Sequence, residues 1–178
     1  DRISDLIEKH NITHFESTPS FLGYLLNNLK KPDSIKTIIC GSEPIQDSFF
    51  RITKRNEFKD IRFYNSYGLT ECSIDSTISN LKKNEDGLFP SGVNIGDQLI
   101  CIKDFDGSPK PMGVWGEIHI EGECVGINIE SNNHIKRYAT GDLGMITPKD
   151  GLIVGGRINN DFIKVNGHPD VIITDPPR

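Results

Sequence analysis

The sequence predicts an α/β fold: a partial parallel βαβ sheet followed by a smaller antiparallel β subdomain. Three observations lead there. The opening third alternates helix-spaced and strand-like apolar patterns, whereas from Gly87 onward Gly and Pro punctuate short β-branched runs. The 178 residues, 35% hydrophobic and 25% charged, suffice to bury a core and keep a polar surface.

Taken in order, Ile3, Leu6 and Ile7 put apolar groups on one face of a short helix, and residues 12–16 (ITHFE) read as a strand. Ser17 and Thr18 offer an N-cap with Pro19 near the first helical position, and Phe21, Leu22, Leu25, Leu26 and Leu29 follow at helical spacing. Residues 36–40 (KTIIC) predict a β-branched strand, 44–54 a helix and 61–64 (IRFY) a strand. This order implies parallel pairing with right-handed crossovers. The later strands are 98–103, 116–121, 145–147 and 152–154, with turn signals at 104–107 (DFDG) and 148–151 (PKDG). The expected units are therefore an α/β subdomain over 1–86, a β-rich one over 87–155, and a separate segment over 156–178.

Composition narrows the function classes. A net charge of −5 with no basic stripe argues against nucleic-acid or membrane-surface partners. No apolar run approaches the roughly 20 residues of a membrane span, and no signal peptide is visible. Cys40, Cys72, Cys101 and Cys124 form no CxxC pair, so free thiols in a reducing, cytoplasmic compartment are expected rather than disulfides or a zinc site.

In an open parallel sheet, ligands bind beyond the carboxyl ends of the strands. Three loops would gather there: 16–18, 41–43 and 65–71. The last, NSYGLTE, offers an aromatic face, a glycine that lets backbone approach a phosphate, a hydroxyl, and the hard carboxylate oxygen that Mg²⁺ prefers. Read from the residues alone, the same stretch also suits a plain strand-to-helix connection capped by Thr70.

Asn65–Glu71 resembles the NxYGxTE motif of adenylate-forming enzymes, above all the adenylation domains of nonribosomal peptide synthetases. Further motifs of that family follow in order: Gly113–Gly122 (GVWGEIHIEG) is similar to GxxGEIxIxG, Tyr138–Leu143 (YATGDL) to YxTGDL, and Gly156–Arg157 with Phe162–Gly167 (FIKVNG) to the hinge motif. Gly41–Ile45 (GSEPI) stands where the family has its adenine loop. The resemblance covers nearly the whole chain and implies the large N-terminal core of an adenylation domain.

It also implies roles. Tyr67 would pack on adenine, with Gly41, Ser42 and Glu43 as the opposite wall and Asn65 beside them. Thr70 would hold the α-phosphate, Glu71 would bind Mg²⁺, and Asp142 would grip the ribose hydroxyls. Arg157 would contact ribose or phosphate, and Lys164 would belong to the hinge. The alternatives are a turn-capping role for Asp142 and a surface salt bridge for Arg157. Alignment to the motifs places Glu16, Ile38, Cys40, Ser66, Ile74 and Asp75 around the acyl pocket, where the two carboxylates would face a polar or cationic group or point away. The implied reaction joins a carboxylic acid to ATP, giving an acyl-adenylate. This then passes to the phosphopantetheine thiol of a carrier domain among neighbouring synthetase domains, in bacterial secondary metabolism.

Three departures stand out. The phosphate loop that precedes these motifs is absent from this stretch, as is the C-terminal lid, so the 178 residues are expected to be an internal portion with negligible activity of their own. The segment from Val125 to Tyr138 is short for the family. The hinge is irregular, with Asn159 in place of Asp, one extra residue between Arg157 and Lys164, and His168-Pro-Asp170 in place of the usual continuation; an inserted tailoring domain near Gly167 is one explanation. The alternatives for function are an acyl-CoA synthetase or fatty-acid–AMP ligase, and a degenerate, non-catalytic scaffold.

Overall fold

The computed structural model describes residues 2–28, 34–126, 131–132, 135–158, 164–165 and 168–169. Its helices are α1 (Arg2–Lys9), α2 (Pro19–Asn28) and α3 (Asp47–Thr53). The first five strands are β1 (His14–Ser17), β2 (Thr37–Cys40), β3 (Arg62–Tyr67), β4 (Thr77–Asn80) and β5 (Val93–Asn94). They form one sheet in the order β1-β2-β3-β4-β5, with β1, β2 and β3 parallel and the last two pairings antiparallel.

The remaining strands are β6 (Leu99–Lys103), β7 (Gly116–Glu121), β8 (Ser131–Asn132), β9 (Ile135–Thr147), β10 (Gly151–Arg157), β11 (Lys164–Val165) and β12 (His168–Pro169). A second, antiparallel sheet runs β10-β9-β7-β6, with β8 on β9, while β11 and β12 pair only with each other. The α/β class and the parallel-then-antiparallel order are those the sequence predicts.

The helices cover one face of the first sheet. Leu22, Leu25 and Leu26, at i, i+3 and i+4 of α2, are at most 1% exposed and pack with Ile7, Phe49, Ile38 and Cys40. Full burial of a Leu of this kind contributes about 2 kcal/mol. Residues 68–76 connect β3 to β4 and pass over the second sheet, where Cys72 joins a second core with Ile118, Ile120, Val125 and Leu152. All four cysteines are free. Burial pushes the Cys40 thiol up to about 12 and the Cys72 thiol up to about 11, so both behave as small hydrophobes.

Two elements depart from the sequence reading. The strand expected to end at Tyr64 runs to Tyr67, because the unanticipated β4 pairs with it from Tyr64↔Asn80 to Tyr67↔Thr77. The first sheet likewise continues past residue 86 to β5. The Thr-Gly-Asp stretch at 140–142, for which a turn is the alternative reading, lies inside β9 as a bulge: from Glu117↔Leu143 to His119↔Ala139, β7 advances two residues while β9 advances four. Arg157 closes β10, whereas Asn159, Asp170, the side chain of Lys164 and most of the hinge motif lie outside the described residues. Among the described residues, no helix is long and apolar enough to cross a membrane.

Candidate functional site

The two sheets meet edge to edge where Gly92 pairs with Leu152. Leu152 N–H donates to the Gly92 carbonyl (2.7 Å), and Ser91 N–H donates to the Leu152 carbonyl (2.8 Å). A cleft of about 420 Å³ opens between them. Its walls are the 42–45 loop, the end of β3 from Asn65 through Leu69, the 87–91 segment, and Asp142 with residues 154–157. It therefore lies beyond the carboxyl ends of β2 and β3, where an open parallel sheet exposes its loops.

Three polar side chains converge across it. The Tyr67 hydroxyl donates to Asp142 Oδ2 (2.8 Å), and Arg157 Nε pairs with Asp142 Oδ1 (3.1 Å). Arg157 also donates through Nη1 to the Thr140 carbonyl (3.0 Å). Asp142 is 6% exposed, so an unpaired charge there would be costly. Burial chiefly holds the Tyr67 phenol above its ordinary value; a hydrogen bond with Thr140 opposes that and the Asp142 carboxylate reinforces it. Tyr67 therefore stays protonated as a donor. A carboxylate fixed by one phenol and one guanidinium keeps lone pairs free for further donors, as a vicinal diol would supply.

Of the 41–43 loop, Ser42 and Glu43 border the cleft and Gly41 does not. A Cβ at Gly41 would lie 2.5 Å from Ser66 Oγ, so a side chain there would displace that hydroxyl, and Ser42 takes a left-handed φ of 67°. The Glu43 carboxylate is engaged elsewhere: it accepts from Ser20 N–H (3.1 Å) and Ser20 Oγ (2.9 Å) at the start of α2, and these bonds hold it below its usual range. Asn65 is likewise committed to the protein. Its 5%-exposed side-chain amide donates to the Phe89 (3.3 Å) and Pro90 (2.9 Å) carbonyls and to Ser91 Oγ (3.4 Å), tying the 89–91 segment to β3.

Thr70 and Glu71 sit on a 3-10 turn just outside the cleft, both exposed. The Glu71 carbonyl accepts from Gly126 N–H (2.8 Å), and its carboxylate faces the Tyr138 hydroxyl. Among the described residues no three His, Cys, Asp or Glu side chains gather as a metal site. A single exposed carboxylate still suits Mg²⁺, which keeps several waters and completes its shell with substrate phosphates.

The six residues aligned to an acyl pocket are not brought to one wall. Ile38 (1% exposed) and Cys40 (0%) point into the helix-side core, on the sheet face opposite Glu16 and Ser66, and neither borders the cleft. Glu16 and Asp75 do come together: burial first, then the Asp75 charge and hydrogen bond, raise the Glu16 carboxyl. Ser66 lies buried under Gly41, its hydroxyl donating to the Cys40 carbonyl (3.5 Å), and Ile74 is 67% exposed. The sequence reading missed Leu88, Phe89 and Ser91, which carry no periodicity, and Gly155 with Gly156, where adjacent glycines inside a strand signal the bulge that β10 contains.

Comparisons with known proteins agree on a family. A family model described as "AMP-binding enzyme" matches residues 1–127. The hybrid PKS-NRPS synthetase gkaA of Penicillium citrinum is 30% identical over 185 residues, which cover 93% of this chain and 5% of that protein. Bacitracin synthase 2 of Bacillus licheniformis is 27% identical over 184 residues, covering 92% of this chain and 7% of that protein. The chain thus spans only a small fraction of these relatives. Their sources are a fungus and a bacterium alike, so the resemblance does not single out bacterial metabolism. Among solved structures, the AMPPNP-bound form of the nonribosomal peptide synthetase FmoA3 superposes with a TM-score of 0.74 at 20% identity, covering 87% of this chain and 19% of that one. The Klebsiella oxytoca NpsA N-terminal subdomain in complex with 3-hydroxybenzoyl-AMSN gives 0.74 at 15% identity, covering 87% and 42%. These two show the fold.

Proposed function

Because the chain belongs to the AMP-binding enzymes, we propose that it forms part of an adenylation domain of the nonribosomal peptide synthetase kind, which activates a carboxylic acid with ATP. The substrate carboxylate attacks the α-phosphorus and pyrophosphate leaves, giving an acyl-adenylate; the phosphopantetheine thiol of a carrier domain among neighbouring synthetase domains then takes the acyl group and AMP leaves. The setting is cytoplasmic.

One observation carries this reading: a phenol from the first sheet and a guanidinium from the second meet a single buried carboxylate beside a cleft of about 420 Å³. That volume suits a nucleoside-sized ligand. In this assignment adenine lies between the Tyr67 ring and the backbone of residues 41–43, while Asp142 accepts from the ribose hydroxyls. Arg157 holds the Asp142 carboxylate in place and adds positive charge on the phosphate side. Thr70 donates to the α-phosphate.

A divalent ion held by Glu71 and the phosphates would neutralise charge on the triphosphate. The protein's own share is orientation: the substrate carboxylate and the α-phosphorus are brought into line, and fixed donors stabilise charge on the phosphate oxygens. The acyl end of the site is assigned to the side of Ser66, Glu16 and Asp75. The two adjacent carboxylates there favour an acid bearing a polar or cationic group.

The test is ATP–pyrophosphate exchange by the full-length protein, with panels of amino, keto and fatty acids. We expect exchange with an amino or related acid, falling at least about 100-fold in Asp142→Ala and Glu71→Gln. Exchange with fatty acids alone would assign the domain to the acyl-CoA synthetase or fatty-acid–AMP ligase branch. Unchanged exchange in both variants would overturn the site.

A further inference from the structure

The carboxylate of Asp142 borders the cleft from an irregularity in β9, and a set of hydrogen bonds holds the backbone of that irregularity. The Thr140 carbonyl accepts from Arg157 Nη1 (3.0 Å), and the Gly141 carbonyl accepts from Ile158 N–H (2.8 Å). Asp142 N–H donates to Thr140 Oγ1 (3.0 Å), whose own hydroxyl donates to the Ile118 carbonyl (2.8 Å). A second donor of the bulge is Gly141 N–H. It points away from the ladder, because Gly141 takes a left-handed φ of 69°, and its partner is Glu117 Oε1 on β7, at 3.0 Å.

We propose that Glu117 is a positioning residue for nucleotide binding: its carboxylate holds the Thr140–Asp142 bulge and thereby aims Asp142 into the cleft. Glu117 does not border the cleft, so it acts only through the bulge. It is well fixed for this task. Its own backbone pairs with Leu143 on β9, one residue beyond Asp142, and its other oxygen, Oε2, lies 3.5 Å from His119 Nε2. The register shift between Glu117 and His119 brackets the bulge, so the residue that opens the irregularity also supplies the acceptor that closes it. Without that acceptor, a part-buried N–H would be left unpaired and the bulge would be free to relax. A shift of about 1 Å in Asp142 would then weaken every contact that depends on its direction.

This inference rests on the assignment of Asp142 to the ribose hydroxyls, and the experiment separates the two. Binding of ATP and of 2′,3′-dideoxy-ATP to the full-length protein is measured by calorimetry for wild type, Asp142→Ala, Glu117→Ala, Glu117→Asp and Glu117→Gln. Wild type should prefer ATP by about tenfold, the discrimination expected of a charge-assisted hydrogen bond. Asp142→Ala should abolish the preference; if it does not, the ribose assignment itself fails.

With that satisfied, Glu117→Ala should lose most of the preference while binding dideoxy-ATP nearly as wild type does. Glu117→Gln, which keeps an oxygen in place, should restore most of it. Should Glu117→Ala fail to fold, Glu117→Asp carries the same readout, because its shorter side chain cannot reach Gly141. A preference retained in Glu117→Ala, or in Glu117→Asp where the alanine variant does not fold, overturns the proposal. So does an equal loss of affinity for both nucleotides, which would mark a purely structural role.

Discussion

Asn65 shows how a motif residue can serve a site by holding its walls together. Its side-chain amide is buried and donates to two carbonyls and one hydroxyl of the 89–91 segment, so it ties two walls of the cleft to each other. Asn65→Asp would set a charge against the Phe89 and Pro90 carbonyls. The expected cost is about 3 kcal/mol, read as a lower thermal transition for the domain in the full-length protein. Glu16 yields a prediction of the opposite sign. Burial and Asp75 raise its carboxyl, so the fold favours the protonated form. That contribution is complete below the ordinary value of 4.5 and is lost as pH rises through the raised one. Glu16→Gln should therefore be more heat-stable than wild type at pH 8, with the advantage gone at pH 4. An advantage that does not change with pH would show that the fold does not raise the Glu16 carboxyl.

At the scale of elements, the sequence displayed what is local and hid what depends on pairing. Leu22, Leu25 and Leu26 announce α2 by spacing alone, and residues 37–40 announce β2 by branching. The loop motif from Asn65 to Glu71 was legible because its chemistry is contiguous. β4 was not, since Thr77–Asn80 is short and half polar and becomes a strand only by pairing with β3. Gly141 interrupts the alternation beside Asp142, yet bonds from β7 and β10 keep the stretch within a strand. Ile38 and Cys40 were assigned to a pocket by alignment, which does not say which way a strand residue faces, and the register turns them toward the helices. Gly68 marks the tightest point of the 68–76 connection: a Cβ there would fall 1.6 Å from the Ile74 carbonyl oxygen. Gly68→Ala must therefore displace the turn that carries Thr70 and Glu71. ATP–pyrophosphate exchange should drop at least about 100-fold, while α2, α3 and their core, which the turn does not touch, stay folded by circular dichroism.

Across the whole molecule, the site exists only as long as the two sheets keep their relation, because Tyr67 belongs to one and Asp142 to the other. The contact that fixes this relation is made by two glycines. A Cβ at Gly151 would lie 2.2 Å from the Gly92 carbonyl oxygen, and one at Gly92 would lie 2.2 Å from the Ile78 carbonyl oxygen. The strand-like bonds between Gly92 and Leu152 form because neither side chain intervenes. Gly151 also has a φ of 71°, so Gly151→Ala combines backbone strain with a clash. Gly107 separates the two effects: its φ is 84°, but a Cβ there meets nothing within 4 Å. Gly107→Ala should thus cost only the left-handed penalty of about 1 kcal/mol and leave ATP affinity unchanged. Gly151→Ala should cost about 2–4 kcal/mol, since the bonds at 2.7 and 2.8 Å must also lengthen, and ATP affinity should fall about tenfold as Asp142 moves from Tyr67. Calorimetric titration of both variants decides the matter. Equal behaviour of the two would mean that the sheets are registered by the 68–76 connection and not by the glycine contact.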